Sequence, residues 1–184
     1  MTTASISGLV AGNYSVTVTG SNGCVKNASI TLTQPTAVSA SCSVPNNITC
    51  NGAANGQVTV NATGGSGVYT YLWSNGSTLV AVNNLGPGTY TVTVTDNAGC
   101  TASCSSTLTQ PNAIVISGVV TNPLCHGNSN GAIALTVTGG TTPYAYVWND
   151  GNTSSSRTGL AGGSYSVQVT DANGCIQSKS FSVV

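Results

Sequence analysis

Ionisable side chains are scarce in this sequence of 184 residues, since charged residues make up only 3% of it. The chain has no glutamate, three aspartates and one histidine. Acid–base catalysis needs a carboxylate, imidazole or amine beside its partner, so we expect no catalytic residues and no enzymatic activity. The formal net charge is +0, and the clustered Lys and Arg that bind nucleic acid are missing. We therefore expect no nucleic-acid partner.

Long apolar runs are missing too, and no stretch approaches the roughly 18 apolar residues that a membrane helix needs. We therefore expect no membrane insertion. The residues that dominate instead are 27 Thr, 24 Ser, 19 Asn and 23 Gly. Thr and Val favour strands, whereas Gly, Asn and Ser favour turns. This composition predicts an all-β protein with many short strands.

Internal repetition organises the chain. The segment Gly12–Thr19 recurs as Gly88–Thr95 after 76 residues, and again as Gly163–Thr170 after a further 75. Such a period is the signature of a tandem-repeat protein. We predict three units, here called the first, middle and last repeats. They are residues 1–35, the C-terminal half of a truncated repeat; residues 36–111, a complete repeat; and residues 112–184, a nearly complete one.

Within the middle repeat, alternating segments separated by turn residues predict six strands. They lie at 38–44, 57–63, 69–74, 78–82, 88–95 and 101–109. In the fifth, Tyr90, Val92 and Val94 share one face and threonines share the other, as in a sheet with one buried side. The pattern predicts tandem immunoglobulin-like β-sandwich repeats, stacked end to end with a period of 75–76 residues.

Each complete repeat has one tryptophan, which predicts its role in the core. Trp73 and Trp148 are the largest side chains available to fill the two sandwiches. The alternative is that each tryptophan, with the tyrosine two residues before it, forms a platform that stacks on sugars. We favour the core interpretation, with these core residues: Trp73, Tyr90, Val92 and Val94 in the middle repeat, and Trp148, Tyr165, Val167 and Val169 in the last.

The seven cysteines indicate a disulfide framework. Cys50 and Cys100 are 50 residues apart, and so are Cys125 and Cys175, which predicts the same bridge within each repeat. Cys42 and Cys104 are predicted to pair, because the last repeat has Ser117 and Lys179 in their places and so lacks both. Cys24 is predicted to be unpaired by truncation.

Disulfides in every unit favour an oxidising, extracellular compartment. The rival interpretation of the cysteines is a metal site, which requires clustered Cys and His ligands. Only Cys100 with Cys104, and Cys125 with His126, approach such spacing. We expect no metal and no cofactor.

Asp96 and Asp171 occupy the same turn after the fifth strand of their repeats. A carboxylate there can accept hydrogen bonds from nearby backbone N–H groups, so we predict a structural role in the turn. The alternative is a Ca²⁺ ligand, but Ca²⁺ prefers several carboxylates and no second acid lies nearby in the sequence. His126 is interpreted as a plain loop residue.

The motifs of the last repeat resemble the SprB-type repeat, and those of the middle repeat do so equally, except that Val68 replaces a proline. The matching segments are Cys125-His126-Gly127, Thr138-Gly139-Gly140, Pro143-Tyr144-Ala145-Tyr146-Val147-Trp148 and residues 160–175. The resemblance implies a cell-surface location and tandem copies in very large adhesins of gliding bacteria, exported by type IX secretion.

Two functions are open at this point. The first is a structural and spacer segment of a secreted adhesin or filament, in which Gln34-Pro35 and Gln110-Pro111 form short, stiff junctions. Its partners would be neighbouring repeats of the same chain, with surface polysaccharide or other adhesin chains beyond them. The second is a carbohydrate- or protein-binding module that uses end loops. We favour the first, because the repeats have nearly equal lengths and no enlarged loop.

The first repeat contributes only half of a core, built on Ile6, Tyr14, Val16 and Val18. Such an apolar stripe is unfavourable in water. Either the sequence is a window cut from a longer polymer, or strands of a neighbouring molecule complete the fold. We favour the window.

Overall fold

The computed structural model describes residues 5–125 and 127–184, and these residues form β-strands and turns. None of them belongs to a helix long and apolar enough to cross a membrane. The strands are β1 Gly12–Thr19, β2 Val25–Leu32, β3 Ser39–Asn46, β4 Gly56–Thr63, β5 Thr70–Trp73, β6 Ala81–Leu85, β7 Gly88–Thr95, β8 Thr101–Leu108, β9 Val115–Thr121, β10 Gly131–Thr138, β11 Ala145–Trp148, β12 Ser156–Leu160, β13 Gly163–Thr170 and β14 Ile176–Val183.

Two three-stranded sheets form each of the middle and last repeats. In the middle repeat the strand orders are β3-β4-β6 and β5-β7-β8, and in the last they are β9-β10-β12 and β11-β13-β14. All paired strands are antiparallel. Two small sheets packed over a shared core make an immunoglobulin-like sandwich. The predicted all-β, immunoglobulin-like fold is therefore confirmed.

The predicted fourth strand is wrong in position, since the pattern placed it at 78–82 and the structure has Ala81–Leu85. The backbone before it is held elsewhere. The Trp73 indole N–H donates to the Leu79 carbonyl at 2.8 Å, and the Trp73 backbone N–H donates to the Ser77 carbonyl at 2.9 Å. These bonds fold residues 74–79 around the tryptophan, so β6 starts only after them.

One tryptophan lies at the centre of each core. Trp73 and Trp148 are each 2% exposed, and the valines on the inner faces of β7 and β13 are fully buried or nearly so. Tyr90 and Tyr165 pack against the cores while partly exposed. The buried valines are Val92, Val94, Val167 and Val169, as the alternation of the sequence predicts.

A tyrosine at the start of the fifth strand fastens the preceding turn in each repeat. The Tyr90 hydroxyl donates to the Gly86 carbonyl at 3.1 Å, and the Tyr165 hydroxyl donates to the Ala161 carbonyl at 3.0 Å. Tyr14 makes the same bond in the first repeat, with the Val10 carbonyl at 2.7 Å. This contact is the tyrosine corner of immunoglobulin-like folds.

Each complete sandwich has two ends. In the middle repeat we call the end that contains the β4–β5 loop and the β7–β8 turn the proximal end. There Ser66 N–H donates to the Asp96 carboxylate at 2.9 Å. The distal end contains the β3–β4 loop and the end of β8, which are joined by a bond from Asn47 Nδ2 to Thr109 Oγ1 at 2.7 Å. The last repeat has the same two ends.

The first repeat is a two-stranded hairpin of β1 and β2. Its apolar face is open, with Val16 55% exposed and Ile30 64% exposed. The equivalent of Val16 in the middle repeat, Val92, is 0% exposed. The half-core predicted from the sequence is thus present but uncovered among the described residues.

Candidate functional site: the junction between repeats

The segment that connects the middle and last repeats is fastened to the distal end of the middle repeat. The Gly52 backbone N–H donates to Gln110 Oε1 at 2.8 Å, and Asn51 Nδ2 donates to the Pro111 carbonyl at 3.1 Å. Proline also fixes its own φ angle. The connection is therefore held by one backbone N–H and one side chain of the β3–β4 loop and has no free spacer.

A disulfide crosses this junction. Cys50, in the distal β3–β4 loop of the middle repeat, is bonded to Cys175, in the proximal β13–β14 turn of the last repeat, with 5.6 Å between the Cα atoms. Next to it, Asn173 Nδ2 donates to the Thr49 carbonyl at 3.0 Å. The distal end of one repeat thus contacts the proximal end of the next, through a covalent bond and a hydrogen bond.

The predicted bridges between Cys50 and Cys100, and between Cys125 and Cys175, are wrong. Cys50 and Cys100 lie at opposite ends of one sandwich, separated by the length of β8. Eight residues at about 3.3 Å each place these ends roughly 26 Å apart, whereas bridged Cα atoms lie within about 7 Å of each other. Equal spacing misled the prediction, because in a tandem array a bridge to the next repeat recurs with the same period as a bridge within a repeat.

The predicted bridge between Cys42 and Cys104 is confirmed, with 5.7 Å between the Cα atoms. It joins β3 to β8, the neighbouring edges of the two sheets. Of the seven cysteines, all of which lie in the described part of the chain, three have no disulfide partner: Cys24, Cys100 and Cys125. Cys24 was expected to be unpaired, whereas Cys100 and Cys125 were not.

A carboxylate holds the turn that presents Cys175. Asp171 Oδ1 accepts from the backbone N–H groups of Asn173 and Cys175 at 2.9 Å each, and Oδ2 accepts from Thr141 N–H at 2.8 Å. Burial alone would raise the pKa of Asp171, but these backbone hydrogen bonds together outweigh burial and the pKa is lowered. Asp171 is 5% exposed, and its three partners are all backbone donors from its own repeat. It therefore acts as the predicted structural residue of the turn.

Asp96 has the same role in the middle repeat. The hydrogen bond from the Ser66 backbone is the main cause that lowers the pKa of Asp96. Burial opposes this effect, and hydrogen bonds from the Cys100 and Ala98 backbones lower the pKa further. Gly65 makes room for the carboxylate. It has φ +66°, and a Cβ atom there would lie 2.6 Å from Asp96 Oδ2. The Thr-Gly-Gly motif and the aspartate thus form one local unit.

The tryptophans do not form the surface that the sugar-platform alternative requires. Both indoles are buried, and the Trp148 N–H donates to the Ser154 carbonyl at 2.9 Å inside its repeat. Arg157 covers the outer side of Trp148, with its guanidinium carbon 5.3 Å from the ring centre, and is paired with Asp150. His126 lies outside the described residues. Among those described, no three His, Cys, Asp or Glu side chains are grouped as metal ligands.

The junction is the feature that sequence reasoning missed. Its signal was present, since Asn173-Gly174-Cys175 is a turn at the start of the last strand and Cys50 follows the first strand. A bridge within one repeat would have been excluded only by placing the loop after the first strand and the turn before the last strand at opposite ends of the same sandwich.

Comparison with known proteins agrees with the repeat pattern. The family model described as the SprB repeat matches residues 42–78 and 117–153, which run from the first strand of each complete repeat past its tryptophan. No curated protein matches the chain.

Several solved structures are similar to the chain. One is the crystal structure of Down Syndrome Cell Adhesion Molecule (DSCAM) isoform 1.30.30, N-terminal eight Ig domains, at 14% identity and a TM-score of 0.41; the match covers 94% of this chain and 26% of that one. A structure on Dscam isoform specificity is 13% identical, with a TM-score of 0.34 and coverages of 88% and 51%. The amphioxus IgVJ-C2 molecule is 13% identical, with a TM-score of 0.29 and coverages of 83% and 98%. The chain thus spans about a quarter of the first structure and half of the second.

Proposed function

We propose that this chain, which carries two SprB repeats, is a load-bearing spacer segment of a secreted, cell-surface adhesin. The observation that carries the proposal is the disulfide between Cys50 and Cys175, because it joins two successive repeats outside the peptide connection. A spacer must keep its length under tension. A covalent bond between neighbouring repeats supports that role directly.

The bridge changes the path along which tension would travel. A force applied at the chain ends passes from Cys50 through the disulfide to Cys175, so the 125-residue separation between them is bypassed. Both complete cores lie largely within the bypassed segment. Neither sandwich would need to resist the load with its hydrogen bonds alone, as long as the bridge stays oxidised.

Other features of the chain suit the same role. Charged residues make up only 3% of the chain, so its contacts depend little on ionic strength. The junction segment is anchored by Gly52 and Asn51, which supports a stiff connection. Its partners in this role are the neighbouring repeats, and we extend this to surface polysaccharide or other adhesin chains at the far end of the spacer. We further propose that the adhesin is exported by type IX secretion and moves along the surface of a gliding bacterium.

Single-molecule stretching tests the load-bearing role. The full chain, held by peptide tags at both ends, is pulled with its disulfides closed and again after reduction. We expect reduction to add about 43 nm of extension on unfolding, the length of the 125-residue separation at about 3.4 Å per residue.

A matched control variant isolates the junction bridge. Under oxidising conditions, Cys50→Ser with Cys175→Ser should extend about 21 nm further than the wild type, half of the full gain, because the bridge between Cys42 and Cys104 still bypasses 62 residues. Cys42→Ser with Cys104→Ser should extend no further than the oxidised wild type, because the path through Cys50 and Cys175 is unchanged in it. If the oxidised wild-type chain extends as far as the junction variant, the bridge does not bear the load and the proposal fails.

A further inference from the structure

The distal loop of the last repeat has the same architecture as the loop that forms the junction bridge. Thr49 N–H donates to Asn55 Oδ1 at 3.3 Å, and Leu124 N–H donates to Asn130 Oδ1 at the same distance. The Cys125 carbonyl accepts from Asn128 N–H at 3.1 Å, just as the Cys50 carbonyl accepts from Ala53 N–H. Cys125 is therefore presented as Cys50 is, but its thiol is exposed and unpaired.

The proximal turn of the middle repeat likewise copies the turn that presents Cys175. Asp96 Oδ1 accepts from Ala98 N–H at 2.9 Å and from Cys100 N–H at 2.8 Å, and Oδ2 accepts from Ser66 N–H at 2.9 Å. The Asp96 N–H donates to the Cys100 carbonyl at 2.9 Å, as Asp171 N–H does to that of Cys175. Cys100 is exposed and unpaired.

The chain thus presents both halves of a repeat-to-repeat bridge, unpaired, on two different repeats. We propose that Cys125 of one copy of this chain forms a disulfide with Cys100 of a second copy, as Cys50 does with Cys175, but without the hydrogen bond from Asn173, whose place is taken by Ala98. The contact is head-to-tail, so each copy can bond to one molecule through Cys125 and to another through Cys100. This inference rests on the junction geometry and does not require the chain to be an adhesin.

A groove beside Cys125 gives room for the incoming turn. It has a volume of about 380 Å³, and its lining includes Leu124, Gly127, Ala161 and Val184. These are apolar or small groups, and the turn at Cys100 is also small and uncharged apart from the satisfied Asp96.

Cys24 is a poorer partner for Cys125 than Cys100 is. Its turn keeps the bond from Gly20 N–H to the Cys24 carbonyl at 2.8 Å, but the residue in the aspartate position is Gly20, so no carboxylate holds the turn. It also belongs to the open hairpin rather than to a complete sandwich. Cys24 therefore provides a matched control for the importance of the built turn.

Formation of the bridge requires an oxidant, which we take to be a small-molecule disulfide such as oxidised glutathione. One protein thiolate attacks it and releases reduced glutathione, and the thiolate of the second copy then displaces the second glutathione. Two thiols become one disulfide, and two electrons and two protons are transferred to oxidised glutathione. No other reactant is needed.

The test uses three full-length variants, each with one unpaired cysteine left. Cys24→Ser with Cys100→Ser keeps Cys125, Cys24→Ser with Cys125→Ser keeps Cys100, and Cys100→Ser with Cys125→Ser keeps Cys24. All three replaced positions are exposed, so the folds should be unchanged, which near-ultraviolet circular dichroism checks. Equal amounts of two variants are mixed in a buffer of reduced and oxidised glutathione, and the dimers are counted by non-reducing mass spectrometry.

We expect the Cys125 and Cys100 variants to form the mixed dimer in about tenfold excess over either homodimer, because even a weak specific contact biases disulfide exchange by this factor. The Cys125 and Cys24 variants should form mixed and same-variant dimers at random. Random proportions in the first mixture, equal yield from the second, or a lack of any dimer would each overturn the proposal.

Discussion

Asp96 and Asp171 show how a few ionisable side chains are used in a nearly uncharged protein. Each carboxylate accepts backbone N–H groups from two segments, the β-turn that follows it and the Gly-Gly loop of the same end. Each therefore ties two loops together at the proximal end of its repeat, the end that in the last repeat meets the middle repeat. The ionised form is the one that these donors favour.

These pKa shifts predict acid-sensitive stability. Asp96, Asp150 and Asp171, the whole set of acidic side chains, have pKa values below the ordinary value in the folded chain. Their contribution is fully present above the unfolded pKa of about 3.9 and is lost as the pH falls through the folded values. We expect the free energy of unfolding, measured with urea, to be flat above about pH 5 and to fall below about pH 4.

Substitution identifies which carboxylates cause this dependence. Asp171→Asn should reduce the acid limb of the last repeat, which is the fall in its free energy of unfolding below about pH 4. Unfolding of this repeat is followed through Trp148 fluorescence in a Trp73→Phe background. Asp150→Asn serves as the comparison, and we expect it to have a smaller effect, because Asp150 is half exposed in its pair with Arg157. An acid limb that is equally steep in the Asp171 variant would show that the turn carboxylate is not its source.

The tryptophan of the last repeat carries much of its stability. Trp148 is 2% exposed and packs at 6.4 Å, centre to centre, from Phe181. We expect Trp148→Ala to destabilise the last repeat by about 3 to 5 kcal/mol, since it removes a large buried ring and leaves a cavity. Chemical unfolding followed by circular dichroism checks the value. A loss below about 1 kcal/mol would contradict burial of the indole.

At the scale of elements, the same strand motif occurs in two environments. The hairpin of β1 and β2 and the pair β7 and β8 have the same antiparallel eight-residue register. Only β7 and β8 have a second sheet over their inner face. The chain therefore contains its own comparison between a covered and an uncovered hairpin.

Amide hydrogen exchange should separate these two hairpins. We expect the amides of β1 and β2 to exchange orders of magnitude faster than their counterparts in β7 and β8, because an isolated two-stranded hairpin is marginally stable in water. Protection of β1 and β2 that grew with protein concentration would instead mean that a second molecule covers Tyr14 and Val16. That result would favour completion of the fold by a neighbouring chain.

At the scale of the whole molecule, the bridge between Cys50 and Cys175 predicts restricted motion between repeats. Small-angle X-ray scattering of Cys50→Ser with Cys175→Ser should show a broader distribution of interatomic distances than the wild-type chain, because only the junction hydrogen bonds remain. Cys42→Ser with Cys104→Ser should leave the distribution unchanged. Equal distributions for all three chains would mean that the anchored Gln110-Pro111 segment alone sets the geometry.

Periodicity and alternation in the sequence determined most of the local structure of this protein. The repeat length, five of the six strands of the middle repeat, the inner face of Tyr90, Val92 and Val94, and the role of the aspartates all follow from local patterns. These features depend on residues that are close along the chain or recur at a fixed spacing. The joint absence of Cys42 and Cys104 counterparts also sufficed to predict their bridge.

Only the tertiary structure decided which cysteines meet at the junction. In a simple up-and-down arrangement, the loops after the first and fifth strands lie at the same end, and Cys50 could then reach Cys100. Here β6 runs in the direction of β3, because both are antiparallel to β4, and β5 runs in the direction of β8, because both are antiparallel to β7. Because β5 starts from the β4–β5 loop at the proximal end, β5 and β6, the third and fourth strands of the repeat, share a direction. The β7–β8 turn with Cys100 therefore lies at the opposite end from Cys50. Direction in a sheet depends on long-range pairing, which no local pattern contains.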